Sequence, residues 1–245
     1  MSHRLEIQEG ALLIADAHYS PRRPQLLSLI RAIAQKREPA TQLILMGDIF
    51  DNLFGSIEYT YVENQEMITL LKQISQSIEV VYLEGNHDFN LKAVFDTLKI
   101  IPIKEQPYNA RYKEKTVLLA HGDFDAPFGY QLYTSLIRSP FVLSILKFID
   151  SHTNHSILNY VQEHLEKKED CREFTGFKEL ITQRIEKKYA CDYFIEGHFH
   201  QNKSLKFQEL NYINLGAFAC NQRYFIVKSL EDKELLEEKI FSKGM

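Results

Sequence analysis

Residues able to hold a cation or carry a proton recur in this chain as short clusters: Asp16-Ala17-His18, Gly47-Asp48 with Asp51 close behind, Gly85-Asn86-His87-Asp88, His121-Gly122-Asp123 and Gly197-His198-Phe199-His200. Each follows a short apolar run with the composition of a buried strand, namely Leu12 to Ala15, Leu43 to Met46, Val80 to Leu83, Val117 to Ala120 and Tyr193 to Ile195. In α/β sheets ligands bind outside the carboxyl ends of strands. Gly85 in addition permits a sharp turn where a side chain would clash. Singly, each cluster has an ordinary account: Gly-Asn is common in turns, Asp16 or Asp48 could cap a helix, and His121 could be a hydrogen-bonded core imidazole. Five in chain order, all at strand ends, point to one site assembled from five loops.

The elements that must position these loops follow from periodicity. After the strand at 11–15, Leu26, Leu27, Leu29, Ile30 and Ile33 form the buried stripe of a helix that begins near Pro24, a residue suited to a first turn. A second strand, Gln42 to Met46, leads through Phe50, Asp51 and Phe54 into a helix from Tyr59 to Ser77. Strand, helix, strand at this spacing predicts parallel crossovers. Asn90 to Leu98 reads as a short helix and Ile100 to Ile103 as a brief strand. The pairs 108–112 with 116–120, 203–207 with 210–214, and 223–228 with 235–241 read as strands, so the second half is expected to be the more antiparallel.

Residues 124–189 interrupt this pattern between two motifs and read as three helices, an insertion within a single domain spanning 1–245. Phe141 to Ile149 is apolar almost all round, unlike an ordinary surface helix. It is too short for a bilayer, which needs about 20 residues. It either packs in a small core of the insertion's own or forms a lid, or a membrane-contacting element, that receives an acyl chain. His152, His155 and His164 lie here on no motif and read as surface histidines.

Hydrophobic residues make up 44% of the 245 and charged ones 25%, enough for a sizeable core. A net charge of −4 argues against a nucleic-acid footprint, and no nucleic-acid partner is expected. Cys171, Cys191 and Cys220 are an odd number without paired spacing, which favours a reducing compartment over a disulfide framework. Met1 to Gly10 carries charges and no apolar run of the signal-peptide kind, so a cytoplasmic protein is expected.

The ordered set D-x-H, G-D, G-N-H-D, H and G-H-x-H resembles the signature of the calcineurin-like metallophosphoesterases, over about residues 11 to 220. The resemblance implies an α/β fold, a four-layer αββα sandwich, around two divalent metal ions. One ion would take Asp16, His18, Asp48 and His200, the other Asp48, Asn86, His121 and His198. Two nearby cations repel, so a carboxylate must lie between them, and Asp48 is the expected bridge, with neutral imidazoles completing each set. Water held by such a pair loses a proton near neutral pH and becomes the nucleophile. Asn86 and His87 would also touch substrate. His87, with Asp88 orienting it and raising its pKa, is the expected general acid; Asp88 could equally cap a helix from Asn90.

Within that family the chain looks most like the UDP-2,3-diacylglucosamine diphosphatases of lipid A biosynthesis, through Gly47-Asp48-Ile49-Phe50, Asp88-Phe89 with Leu91 and Phe95, and His121-Gly122-Asp123 followed by Gly129-Tyr130-Gln131. That likeness implies a lipid-linked nucleotide substrate cleaved to UMP and 2,3-diacylglucosamine 1-phosphate, manganese as the metal, and peripheral contact with the inner face of the membrane. Tyr130, Arg138 and Lys168, with Lys147 and Lys167 nearby, would meet substrate. The chain departs from that branch at His87, where arginine is common, and in a short loop before Gly129. Three alternatives remain: a phosphohydrolase of soluble or cyclic nucleotides; a nuclease, which would need a basic, aromatic-lined groove that the sequence does not show; and a non-catalytic scaffold, which would be expected to lack ligands that this chain retains.

Overall fold

Successive side chains of a strand point to opposite faces, and the central strands of this chain are apolar on both. In the computed structural model, which describes residues 4–55, 57–125, 128–153, 156, 160, 171–186, 188–229 and 234–242, this double-sidedness produces layers. One six-stranded sheet runs in the order β14-β13-β2-β3-β5-β7 and a second in the order β1-β8-β9-β10-β12-β11. The first comprises β2 (Leu12–Ile14), β3 (Gln42–Leu45), β5 (Glu79–Leu83), β7 (Lys99–Ile101), β13 (Arg223–Val227) and β14 (Leu236–Ile240). The second comprises β1 (Leu5–Glu6), β8 (Tyr108–Tyr112), β9 (Lys115–Ala120), β10 (Tyr193–Glu196), β11 (Lys203–Phe207) and β12 (Leu210–Asn214).

Leu12, Ile14, Leu43, Leu45, Val80 and Tyr82 face outward and pack with α1 (Gln25–Ala34) and α2 (Tyr59–Ser75). Their neighbours Leu13, Ala15, Ile44, Met46, Val81 and Leu83 face the other way and meet Ala110, Tyr112, Val117, Leu119 and Ile195 of the second sheet. On the far side of that sheet, Leu118, Ala120, Phe194 and Tyr212 pack with Phe177, Ile181 and Ile185 of α5 (Phe177–Ile185). The result is an αββα sandwich with an apolar core in each of its three seams. Each fully buried Leu, Ile or Val in these seams contributes on the order of 1.5–3 kcal/mol.

The β2, β3, β5 and β7 pairings are parallel, as are β9 with β10 and β10 with β12. Antiparallel pairs join β8 to β9, β11 to β12 and β13 to β14, all later in the chain. A two-stranded parallel ribbon, β4 (Leu53–Phe54) with β6 (Asp88–Phe89), joins two of the motif loops.

Two features differ from the sequence expectations, and a third bears on an alternative that the sequence left open. Asn90 to Leu98 is helical for only one turn, at Leu91–Ala93, which follows a left-handed Asn90 (φ 58°) and has its first N–H, that of Leu91, taken by the Glu84 carboxylate. Asp88 accordingly does not cap it. Cys171 and Cys220 form a disulfide (Cα–Cα 5.6 Å), where unpaired thiols were expected. A separation of 49 residues carries no signal of the pairing, which arises because the chain entering α5 runs alongside α6 (Phe218–Asn221). Finally, among the described residues α4 (Pro140–His152) shares no core with other parts of the insertion beyond a contact with Ile137. Leu143 packs against Ile57 and Phe89 of the scaffold, while Phe141 is 74% and Phe148 65% exposed. Exposed Leu132 and Leu136 on α3 (Phe128–Ile137) add to this apolar surface. His152 is exposed as expected; His155, His164, Lys167 and Lys168 lie outside the described residues. Among the described residues no helix is long and apolar enough to cross a membrane.

Candidate metal centre

All five motif loops leave their strands at the same edge of the sandwich, so their polar side chains converge. Asp16, His18 and His200 bring their ligand atoms within 4.8 Å of one another, as do Asp48, His121 and His198. A third group, His18, Asp51 and His87, shares His18 with the first. Asp16, Asp48 and His121 are fully or almost fully buried, an expensive placement for carboxylates and imidazole unless charge is balanced within the cluster.

Three imidazoles, those of His121, His87 and His18, are held through Nδ1. His121 Nδ1 lies 3.0 Å from the Met46 carbonyl oxygen, which can only accept, so Nδ1 carries the proton and the Nε2 lone pair faces Asp48 Oδ2 at 3.4 Å and Asn86 Oδ1 at 3.4 Å. His87 Nδ1 likewise donates to the Asp51 carbonyl at 3.1 Å, leaving Nε2 3.9 Å from Asp48 Oδ2. His18 Nδ1 is 3.3 Å from Asp51 Oδ1, and its Nε2 is buried without a hydrogen-bond partner. His200 Nε2 lies 3.2 Å from Asp16 Oδ1. Anchored Nδ1 atoms and inward-facing Nε2 lone pairs are what metal-ligating histidines require. The orphaned Nε2 of His18 in particular fits a cation.

Burial alone would raise the Asp48 pKa, but His121, His87 and His18 outweigh it and hold the carboxyl well below its usual range. Burial opposes protonation of His121, yet the facing Asp48 carboxylate more than offsets it and raises that pKa well above normal. A divalent cation would take the place of that proton. Burial, reinforced by neighbouring His121, lowers His198 to about 4, so its imidazole is neutral and able to donate its lone pair.

The backbone is strained at the same residues. Asp16 (φ 49°), His18 (φ 44°), Asp48 (φ 49°), His198 (φ 63°) and His200 (φ 58°) all lie in the left-handed region, which costs roughly 1–3 kcal/mol per residue and clusters at functional sites. The motif glycines allow close approach: a Cβ on Gly85 would stand 2.2 Å from Asp48 Oδ1, and one on Gly47 2.5 Å from His121 Nδ1.

Two expected roles come out differently. The Asp88 carboxylate does not orient His87. It accepts from the amides of Asp48 (3.1 Å), Ile49 (2.6 Å), Phe50 (3.1 Å) and Gly85 (3.0 Å) and from the Tyr82 hydroxyl (2.5 Å). Five donors fill the roughly four lone-pair positions of a carboxylate. Asp88 therefore braces the loop that carries Asp48, and the sequence-based assignment of it as His87's partner is corrected. Burial and the nearby Asp48 charge push its pKa upward against the pull of these donors. Arg138, expected to meet substrate phosphate, is turned to the protein: its guanidinium donates to the Gly85 carbonyl (2.9 Å), reaches Asp123 (3.4 Å) and lies over the Phe89 ring. Tyr130 falls on α3, but its side chain is outside the described part of the structure, as is all of Lys168. Asp51, not assigned a role from sequence, orients His18 through its carboxylate and His87 through its carbonyl. Its spacing, Gly47-Asp48-Ile49-Phe50-Asp51, was the available signal.

The profile of the calcineurin-like phosphoesterases matches residues 11–202, most of the chain and all five motif loops. The chain belongs to that family. It is a hydrolase, and the His/Asp clusters of this phosphoesterase are candidate sites for divalent metal ions. Among curated relatives, a UDP-2,3-diacylglucosamine hydrolase of Photorhabdus laumondii is 24% identical over 197 residues, covering 78% of this chain and 81% of the relative. One of Haemophilus influenzae is 23% identical over 215 residues, covering 85% and 90%. A solved archaeal phosphodiesterase aligns over 94% of this chain and 99% of its own, at 12% identity and a TM-score of 0.46.

Proposed function

We propose that this phosphoesterase cleaves the pyrophosphate of a UDP-linked diacylated sugar, UDP-2,3-diacylglucosamine, to UMP and 2,3-diacylglucosamine 1-phosphate, using two divalent cations, manganese by preference. Asp16, His18 and His200 would hold one ion and Asn86, His121 and His198 the other, with Asp48 shared. When bound, the ions supply a nucleophilic water that ionises near neutral pH and neutralise charge on the phosphoryl oxygens. The chain's own groups do the rest. His87, its Nδ1–H fixed on the Asp51 carbonyl, presents Nε2 for hydrogen bonding to the phosphoryl group or, as imidazolium, for proton donation to the leaving oxygen.

The observation that carries the choice of a lipid substrate is where the apolar helix begins. Arg138, at the α3–α4 junction, is bonded through its guanidinium to the Gly85 carbonyl, next to Asn86, and its own carbonyl accepts from the Asn90 side chain. From that junction Phe141, Ile145, Phe148 and Ile149 run away from the centre with their side chains exposed. An aqueous surface has no use for this face, whereas acyl chains and the inner face of a membrane do. Residues 124–189 are then an insertion serving as a lid within one phosphoesterase domain, and the protein works in the cytoplasm in peripheral contact with the bilayer.

Each buried methylene contributes about 0.8 kcal/mol, so a few lost contacts alter lipid affinity by orders of magnitude. Replacing Phe141 and Ile145 together with serine is expected to raise KM for UDP-2,3-diacylglucosamine at least tenfold and to leave hydrolysis of a small aryl phosphodiester nearly unchanged. A parallel fall in both activities would reject the lid. Wild-type protein that ignores the lipid nucleotide and turns over soluble nucleotides would move the assignment to the latter substrates.

A further inference from the structure

Strands β9 and β10 are parallel neighbours, with Ala120 opposite Glu196, so the loops carrying His121 and His198 leave the sheet side by side. One backbone hydrogen bond links them past the strand ends, from the Gly197 N–H to the His121 carbonyl (2.8 Å). Beyond it the sheet no longer sets their spacing. Arg184, near the end of α5, spans the gap. On one side its guanidinium donates to the Gly122 carbonyl (3.1 Å) and to Asp125 (2.6 and 3.0 Å). On the other it donates to Glu196 (2.8 Å), whose carboxylate is fully buried and also accepts from the Tyr212 hydroxyl (2.6 Å). Its plane lies over Phe199, between His198 and His200, at 4.9 Å, and over Phe124 at 5.5 Å.

A buried ion pair adds little net stability over an apolar pair of the same size, but it fixes geometry. The flat, five-donor fork of arginine suits it to grip a carbonyl and two carboxylates at once, which lysine cannot do. We propose that Arg184 is a positioning residue for the metal centre: by clamping the 121–125 loop to Glu196 it sets the separation of His121 from His198, and with it the affinity of the ion those two histidines share. The proposal rests on the ligand assignment above. Helix α5 lies at the C-terminal end of the insertion, so the same clamp ties the insertion's return segment to the centre.

The test is titration of metal-depleted protein with Mn2+, followed by calorimetry and by the electron paramagnetic resonance of free Mn2+, alongside melting temperatures. Wild-type protein is expected to take up two equivalents. Arg184→Lys keeps Glu196 paired and loses the fork; the double variant Arg184→Gln with Glu196→Gln removes both charges, so no buried charge is orphaned. Both are expected to melt near the wild-type temperature, to bind one ion normally, and to bind the other about 10- to 100-fold more weakly, the usual range for losing a group that orients a ligand, with lysine the milder. Two ions bound at wild-type affinity in both variants, or equal weakening of both ions in step with a lower melting temperature, would overturn the clamp. Should the double variant not fold, the lysine variant decides alone. Wild-type protein that binds fewer than two equivalents counts against the metal centre itself, and so against the clamp with it.

Discussion

Asp48→Ala is expected to leave a folded protein without measurable hydrolysis. The loss should exceed the roughly 100-fold that follows removal of a group merely orienting a ligand, because Asp48, clustered with His121 and His198, is the ligand proposed to be shared by both ions. Folding should survive. The brace beneath this loop is the Asp88 carboxylate, which receives the backbone amides of residues 48 to 50 whatever side chain position 48 carries. The carboxylate is held by His121, His87 and His18 and alanine tolerates the left-handed backbone less well, so the melting temperature should fall while the variant remains folded. Asn86→Ala should behave similarly in activity. Elemental analysis and turnover on the same sample check both variants; retention of two ions with substantial turnover would remove Asp48 from the centre.

His87→Ala separates a ligand from a group that handles the proton. The variant is expected to keep both ions and to lose roughly 10²- to 10⁴-fold in kcat, the range for a positioned general acid. Substrates with acidic leaving groups, which need no proton, should lose least. The structure supports this division because His87 Nδ1 is committed to the Asp51 carbonyl while its backbone N–H donates to Asp48 Oδ1 (2.9 Å), so the residue is fixed from two directions without being required as a ligand. Loss of metal from the variant would make His87 a ligand instead.

Much of this arrangement was legible in the sequence because it is carried by local pattern. Apolar runs of three or four residues followed within three positions by Asp, Asn or His marked the strands and the edge at which they end, and the alternating faces of β2, β3 and β5 fill two seams of the sandwich from that same composition. Other features depend on partners distant in sequence. Asp88 looked like a companion to its neighbour His87, but it is claimed by amides about 40 positions earlier. Arg138 was expected to meet substrate, whereas the fold pairs it with Asp123 and the Gly85 carbonyl. Cys171 met Cys220 only once the chain had returned from the insertion. The left-handed backbone at Asp16, His18 and Asp48 was not read from the sequence: Asp and His are enriched in that region among non-glycine residues, but most of them adopt ordinary conformations, so residue type does not single out these positions.

The central claim, two-metal hydrolysis of a UDP-linked lipid, is tested most directly by following UMP release from UDP-2,3-diacylglucosamine as Mn2+ is returned to exhaustively metal-depleted protein. Hydrolysis should be absent at first, rise until two equivalents are bound and then level off, with UMP and 2,3-diacylglucosamine 1-phosphate formed in equal amounts. Full turnover in the chelated protein, or a plateau reached at one equivalent, would contradict the account.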